Sequence, residues 1–149
     1  MNKKLLTLVS IFLVLSMFLA ACQTAAPATE APAAVDCKAE SALEAEGKYQ
    51  VPAPIEGCFN VAFVYVGLHD DMGWNQAHDV GRLYVQDNVP GVHTAYVEKV
   101  DEGVDSEQVT RSLARKGFDM VITTSFGFMD ATETVAGECP DKDFLHVSG

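Results

Sequence analysis

Val61-Ala62-Phe63-Val64-Tyr65-Val66 is the segment that most restricts what this chain can become. All but Ala62 are β-branched or aromatic, which suits a strand. A strand without polar alternation is buried on both faces, and such strands sit inside parallel sheets with helices on either side. The sequence that follows agrees with that setting. Gly67 to Gly73 is a polar loop, and Trp74 to Asn88 places Trp74, Ala77, His78, Gly81, Tyr84 and Val85 at helical spacing. Pro90-Gly91 breaks the chain before a second strand, Val92 to Val97. Asp105 then reads as a helix N-cap with Gln108 three residues on, and Gly117 closes that helix. Asp119 to Thr123 is a third strand. Asp130 and Glu133 form another capping pair, Pro140 bounds the third helix, and Phe144 to Val147 is a fourth strand. The order βαβαβαβ gives an α/β fold, a Rossmann-like parallel sheet with right-handed crossovers. The chain stops just after a core strand, so it reads as a fragment of a longer protein.

In an open α/β sheet, ligands bind beyond the carboxyl ends of the strands. Three segments reach that edge: Gly67 to Asn75, Thr124 to Asp130, and Ser148-Gly149. They carry aromatic and carboxylate groups together, a combination suited to a flat ligand with a polar rim. Asp71 and Asp130 precede helices and serve equally well as caps. Trp74, Phe126 and Phe128 suit either stacking or the core. Asn75, in a first helical turn, faces either ligand or solvent. His69 reads as an exposed loop residue, His78 as packed on the sheet, and Gly127 as a tight turn. Catalytic and phosphate-binding signatures are absent: no GxGxxG, no GxxxxGK[ST], no GxSxG. The Asp70-Asp71 pair suggests a response-regulator receiver, but the third strand ends in Thr123-Thr124-Ser125 without a phospho-acceptor Asp.

The amino terminus speaks for export. Lys3 and Lys4 precede a 17-residue uncharged run, Leu5 to Ala21, which ends in Leu19-Ala20-Ala21-Cys22. A charged start, an apolar middle and small residues at the end describe a secretory signal. The run is short for a permanent span, which takes about 20 apolar residues. Leu19-Ala20-Ala21-Cys22 resembles the lipobox of bacterial lipoproteins, and that resemblance implies a signal peptide over 1–21 and a lipidated Cys22. Residues 23–35 are almost wholly Ala, Pro and Thr, a tether in composition. Ser41 to Gly47 reads as a short helix, and Val51-Pro52-Ala53-Pro54 as extended chain. The expected layout is therefore signal over 1–21, lipidated Cys and flexible tether over 22–58, and a partial lobe over 59–149.

The net charge of −11, deepened further by loss of Lys3 and Lys4, repels nucleic acid and anionic headgroups. The four cysteines show no metal-site spacing. Export permits disulfides. Cys37 and Cys58, both outside the regular region, are candidates for one, although sequence alone does not fix the pairing.

Several motifs in register resemble one family. They are Val61 to Gly67, Asp71-Met72-Gly73-Trp74, His78-Asp79-Val80-Gly81, Tyr96-Val97-Glu98-Lys99-Val100, and Thr124-Ser125-Phe126-Gly127-Phe128-Met129-Asp130-Ala131. Together they look like the opening of the basic membrane protein family, the substrate-binding lipoproteins of ABC importers. The resemblance covers about residues 60–149. It implies a type I periplasmic-binding-protein fold, of which this chain would hold part of the N-terminal lobe. It also implies a purine nucleoside or related small polar ligand, an ABC permease as partner, and lipid anchoring on the extracytoplasmic face of the cell membrane. Matched to the motif, Asp71, Trp74 and Asn75 would lie on the ligand, with Phe128 and Asp130 nearby. No cofactor, metal or catalytic residue is implied. Trp74 stands where many members carry another aromatic residue, and the second lobe and hinge of the family are missing from this chain. The competing readings are a surface lipoprotein enzyme acting on nucleosides and a truncated remnant without function. The anchor reading is testable first: expression of Cys22→Ala in a bacterial host should give protein that is released or left unprocessed. Unchanged processing and membrane retention would remove the anchor.

Overall fold

A computed structural model of the chain describes residues 35–148. The signal, Cys22 and the Ala/Pro-rich tether lie outside the described residues, as does Gly149. Residues from Ala34 onward form one unit. Its elements are β1 (Leu43–Glu46), β2 (Tyr49–Pro52), β3 (Phe59–Val64), α1 (Trp74–Asn88), β4 (Val92–Val97), α2 (Val104–Lys116), β5 (Met120–Thr123), α3 (Met129–Glu138) and β6 (Asp143–His146). A short 3-10 turn, Phe126–Phe128, precedes α3. Among the described residues, no helix is long and apolar enough to cross a membrane.

The four strands β4-β3-β5-β6 form a parallel sheet in that order, as the strand-helix alternation predicts. β3 is central because its sequence tolerates burial everywhere: Asn60 through Tyr65 are all buried. Alternate residues serve opposite faces. Ala62, Val64, Ala95, Val97 and Val121 pack with Val109, Leu113, Phe118 and Phe128, under α2 and α3. Val61, Phe63 and Tyr65 face the other way, with Tyr96, Met120 and Ile122 against them. The register aligns Val64 with Val97 on one side and Thr123 on the other, and Thr123 with His146. All four strands therefore end at one edge.

α1 has the expected bounds but the opposite rotation from the one its apolar spacing suggests. Its buried residues are Asn75, Asp79 and Arg82, whereas Trp74, Val80, Leu83 and Tyr84 are exposed. The sheet beneath it explains the inversion. Tyr65 Oη donates to Asp79 Oδ1 at 3.3 Å, Arg82 Nε donates to the same oxygen at 2.6 Å, and Arg82 Nη1 donates to Thr94 Oγ1 at 3.3 Å. The guanidinium also lies over the Tyr96 ring, 4.9 Å from its centroid. Around Asp79 and Arg82 the inward face is thus a hydrogen-bonded polar layer, and the apolar stripe turns outward.

The helix ends also differ in detail. Gly103 caps α2, and Asp105 sits inside its first turn, where its carboxylate accepts from Tyr49 Oη at 2.8 Å. Gly117 ends α2 in the left-handed region (φ 109°), as expected. Phe128 is the N-cap of α3 without a side-chain cap bond, so Asp130 is a first-turn residue and not half of a capping box. The 3-10 turn provides the lead-in that such a box would otherwise give.

Residues 41–47 are not a helix. Leu43–Glu46 pairs antiparallel with Tyr49–Pro52, and Gly47 takes φ 60° in the two-residue turn between them. Positive φ at the first central position is what a tight hairpin asks of glycine. The segment read as tether thus contains a hairpin among its described residues. Val51 is fully buried in the same core as Val97 and Leu113, and Ser41 Oγ lies 2.7 Å from His93 Nε2. Cys37 and Cys58 are joined by a disulfide, Cα to Cα 5.8 Å, which closes the loop carrying the hairpin; Cys139 is free. Closing a loop of this length restricts the unfolded chain by about 3 kcal/mol. The double variant Cys37→Ser/Cys58→Ser should lose about that much unfolding free energy in a urea titration, and thiol titration of the native chain should find Cys139 alone among these three.

Candidate functional site

Strand order β4-β3-β5-β6 sends the chain from β3 to one side and then back across to β5. Crossovers diverge at the carboxyl ends of β3 and β5, and ligands of open sheets sit at such switch points. The two loops there are bound to each other. Thr124 donates to Val64 O through both N (3.2 Å) and Oγ1 (3.1 Å). Trp74 crosses from the β3 loop and donates its indole Nε1–H to Thr124 O. Trp74 is 48% exposed, and the His78 ring stands T-shaped to it at 4.7 Å between centroids. A half-exposed aromatic side chain is thereby held at the mouth of the switch point.

Asp71 organises the loop leading into α1. Its Oδ1 accepts from Gly73 N (2.8 Å) and Gln76 N (3.0 Å), and its Oδ2 from Asn75 N (3.2 Å) and Asn75 Nδ2 (2.8 Å). The Gln76 amide above all, then those of Gly73 and Asn75 and the Asn75 side chain, hold its pKa down at about 2. Met72 takes φ 59° between Asp71 and Gly73, so the amides can turn back on the carboxylate. Asp71 is therefore a helix cap whose acceptors are engaged. Asn75 is buried at 4% exposure. Its Nδ2 faces Asp71, and its Oδ1 has no partner. Gly67 makes room for it: a Cβ there would lie 2.6 Å from Asn75 Nδ2.

The remaining expected residues separate. Phe128 is fully buried in the core under α2 and α3, so its ring packs against apolar neighbours and is not offered to a ligand. Phe126, two residues earlier, is 66% exposed. Asp130 is exposed in the first turn of α3. The structure thus gathers Asp71, Trp74 and Asn75 on one loop, ties them to Thr124, and leaves Asp130 on the neighbouring element. Among the described residues, no cluster of three or more His, Cys, Asp or Glu side chains has the geometry to hold a metal.

The loop after β4 also reaches this edge, and the sequence reading left it out. Glu98 Oε2 accepts both the backbone N–H of His69 (3.0 Å) and its ring Nδ1 (2.8 Å), while the His69 ring packs 4.9 Å from that of Tyr96. Parallel strands in register all end together, and that was the signal available for Glu98 and Glu102. A groove of about 870 Å³ runs elsewhere, along the outer edge of β4 beneath the hairpin, past Tyr49, Arg82, Gln86 and Tyr96. None of its wall comes from the loops after β3 or β5, so the switch point remains the candidate.

The His69–Glu98 contact gives a pH window. Glu98 raises the His69 pKa above its ordinary 6.5. Burial pushes Glu98 up, but the backbone and ring N–H groups of His69 prevail and leave it below 4.5. The His69 contribution is full below 6.5 and is lost as pH rises through the elevated value. The Glu98 contribution is full above 4.5 and is lost as pH falls through the depressed value. NMR titration of the His69 ring should show a midpoint above 6.5 that drops in Glu98→Gln; an unmoved midpoint would mean that the pair does not form.

Residues 58–149 match the family described as ABC transporter substrate-binding protein, PnrA-like. A purine-binding protein of Brucella abortus is 39% identical over 98 residues, covering 65% of this chain and 28% of the relative. A proposed ABC transporter glucose-binding protein of Haloferax volcanii is 37% identical over 97 residues, 64% of this chain and 25% of that one. An ABC transporter solute-binding protein from Conexibacter woesei superposes with a TM-score of 0.52 at 25% identity, over 58% of this chain and 28% of the other. The chain thus spans about a quarter of the length of the relatives it matches. With the family model matched over most of the described sheet, its strands in the expected parallel order, and its relatives binding proteins, this chain belongs to the PnrA-like family of ABC transporter substrate-binding proteins.

Proposed function

We propose that the chain supplies one wall of an extracytoplasmic binding site for a purine nucleoside or free purine, delivered to an ABC permease by a lipoprotein anchored through Cys22. The observation that carries the ligand class is Trp74: its indole N–H is committed to Thr124 O, which fixes the ring plane and leaves a face half exposed at the switch point. A fixed aromatic face favours a flat heterocycle by stacking, worth roughly 0.5–1.5 kcal/mol beyond the area buried. Asp130 offers an exposed acceptor on the adjoining helix. The purine-binding relative from Brucella abortus supports the same class. The anchor rests on Leu19-Ala20-Ala21-Cys22 after its uncharged run.

A sugar is the second reading, favoured by the relative from Haloferax volcanii. Small-molecule sites bury most of the ligand's surface, whereas a single wall leaves one face of it in water. Binding by this chain alone should therefore be weak, and a protein that carries this lobe with the rest of the family fold should bind tightly. Titration of the ¹⁵N-labelled chain with adenosine, guanosine, inosine, glucose and ribose distinguishes the two. Purines should shift the Trp74 indole resonance at millimolar concentration, sugars should not, and Trp74→Ala should weaken purine binding about tenfold or more. A shift with glucose and none with any purine would transfer the site to the sugar reading.

A further inference from the structure

Glu102 stands in the loop after β4, yet its carboxylate is spent on the loop after β5. Oε1 accepts from Ser125 Oγ at 2.7 Å and from Gly127 N–H at 3.2 Å. The carboxylate fills the place a side chain at 127 would take: a Cβ on Gly127 would meet Glu102 Cδ at 2.2 Å and both oxygens at 2.5 Å. Between these two anchored residues lies Phe126, 66% exposed. The next ring along, Phe128, is fully buried and fixes the far end of the turn. Trp74 holds the near end through Thr124 O. The segment 124–128 is thus pinned by Trp74 from the β3 loop, by Glu102 from the β4 loop, and by Phe128 from the core.

An exposed phenylalanine on an unsupported turn would have to be ordered when a ligand arrives, at a cost to affinity. Here the turn is held beforehand by an exposed carboxylate that does little for the core. We propose that Phe126 is a specificity-determining residue, a second aromatic surface at the switch point that selects a planar ring over a saturated one, and that Glu102 is its positioning residue. The inference rests on the binding-site reading above, decides for Phe126 between the stacking and core roles left open by its sequence, and adds Glu102.

Trp74 is the single tryptophan of the chain, so its indole N–H gives one NMR resonance, and that proton is the one donated to Thr124 O. In the ligand-free chain, Glu102→Ala should move this resonance while leaving the thermal unfolding midpoint nearly unchanged. Glu102→Gln keeps an acceptor oxygen for Ser125 and Gly127 and should restore it. Gly127→Ala, which pushes the carboxylate out with Glu102 intact, should reproduce the Glu102→Ala spectrum. With adenosine as probe, Phe126→Leu and Glu102→Ala should each weaken binding by about three- to tenfold, with any response to glucose unaltered. An indole resonance unmoved in both Glu102→Ala and Gly127→Ala overturns the positioning role, whatever the ligand proves to be. Equal adenosine affinity in Phe126→Leu and the unsubstituted chain overturns the specificity role while leaving the purine reading standing. No response of the unsubstituted chain to adenosine overturns both the purine reading and the selectivity built on it.

Discussion

Every feature of this lobe is placed by β3, which is hydrogen-bonded on both edges. Val64 is paired with Val97 on one side and Thr123 on the other. Both neighbours run parallel to it, and the connection leaving β3 goes to the β4 side while the one leaving β5 goes to the β6 side, so the two diverge at adjacent carboxyl ends. The backbone there is left to be closed by loops, and it is: Tyr65 N donates to Val97 O, while Thr124 N donates to Val64 O. A buried strand end without these partners would leave main-chain polar groups unsatisfied. The switch point is therefore a consequence of strand order, and the Trp74–Thr124 bond bridges the divergence that this order creates.

The rotation of α1 decides which of its residues meets that divergence. A buried ion pair requires good geometry and further hydrogen bonds to offset desolvation. Asp79 and Arg82 have both, from Tyr65, Thr94 and the Tyr96 ring. Burial first, and then the charge of Asp79, push the Tyr65 pKa up, so its hydroxyl remains a donor. Directional bonds lock the helix about its axis more tightly than an apolar stripe would. Asn75 lies four residues before Asp79, on the same face, and is buried with it. Trp74, one residue earlier and about 100° around the helix, is then carried to the mouth. The polar layer thus orients the start of α1, with Tyr65 linking the layer to the end of β3.

The sequence showed the large pattern because that pattern is written in burial. The apolar run of β3, the breaks at Pro90-Gly91 and Gly117, and the switch-point loops all appear where periodicity and turn chemistry place them. The errors came where tertiary partners override local preference. Leu43 to Glu46 is rich in helix formers, yet Val51 finds a core to enter and the hairpin follows it. The apolar spacing of α1 gave its extent but not its rotation, since the polar surface of the sheet could not be seen from the helix alone. Phe126 and Phe128 have the same chemistry; only the 3-10 turn sends one outward and the other into the core. The β4 loop was overlooked because the motif Tyr96 to Val100 carried no ligand role for Glu98 and Glu102 lies outside it; only the aligned strand ends bring both carboxylates to the edge.

What remains open to a ligand follows from what is already engaged. Asp71 is ionised, but four N–H groups occupy its oxygens, so its charge serves the helix start. Asn75 cannot turn its amide over, because Oδ1 would then face the Asp71 carboxylate; the unpartnered Oδ1 is the consequence of that orientation. An orphaned buried acceptor costs free energy, and it is retained where Gly67 leaves no side chain to cover the amide. His69, on the same loop, is engaged by Glu98 of the β4 loop. Among the described residues, the groups exposed at the mouth include the aromatic side chains of Trp74 and Phe126 and the carboxylates of Asp70 and Asp130. Flat surface edged by carboxylates is a poor match for an anion and a better one for a neutral ring bearing N–H or hydroxyl donors. On the proposed reading the selectivity of this wall would lie in its shape, and the charge of Asp71 goes to building that shape.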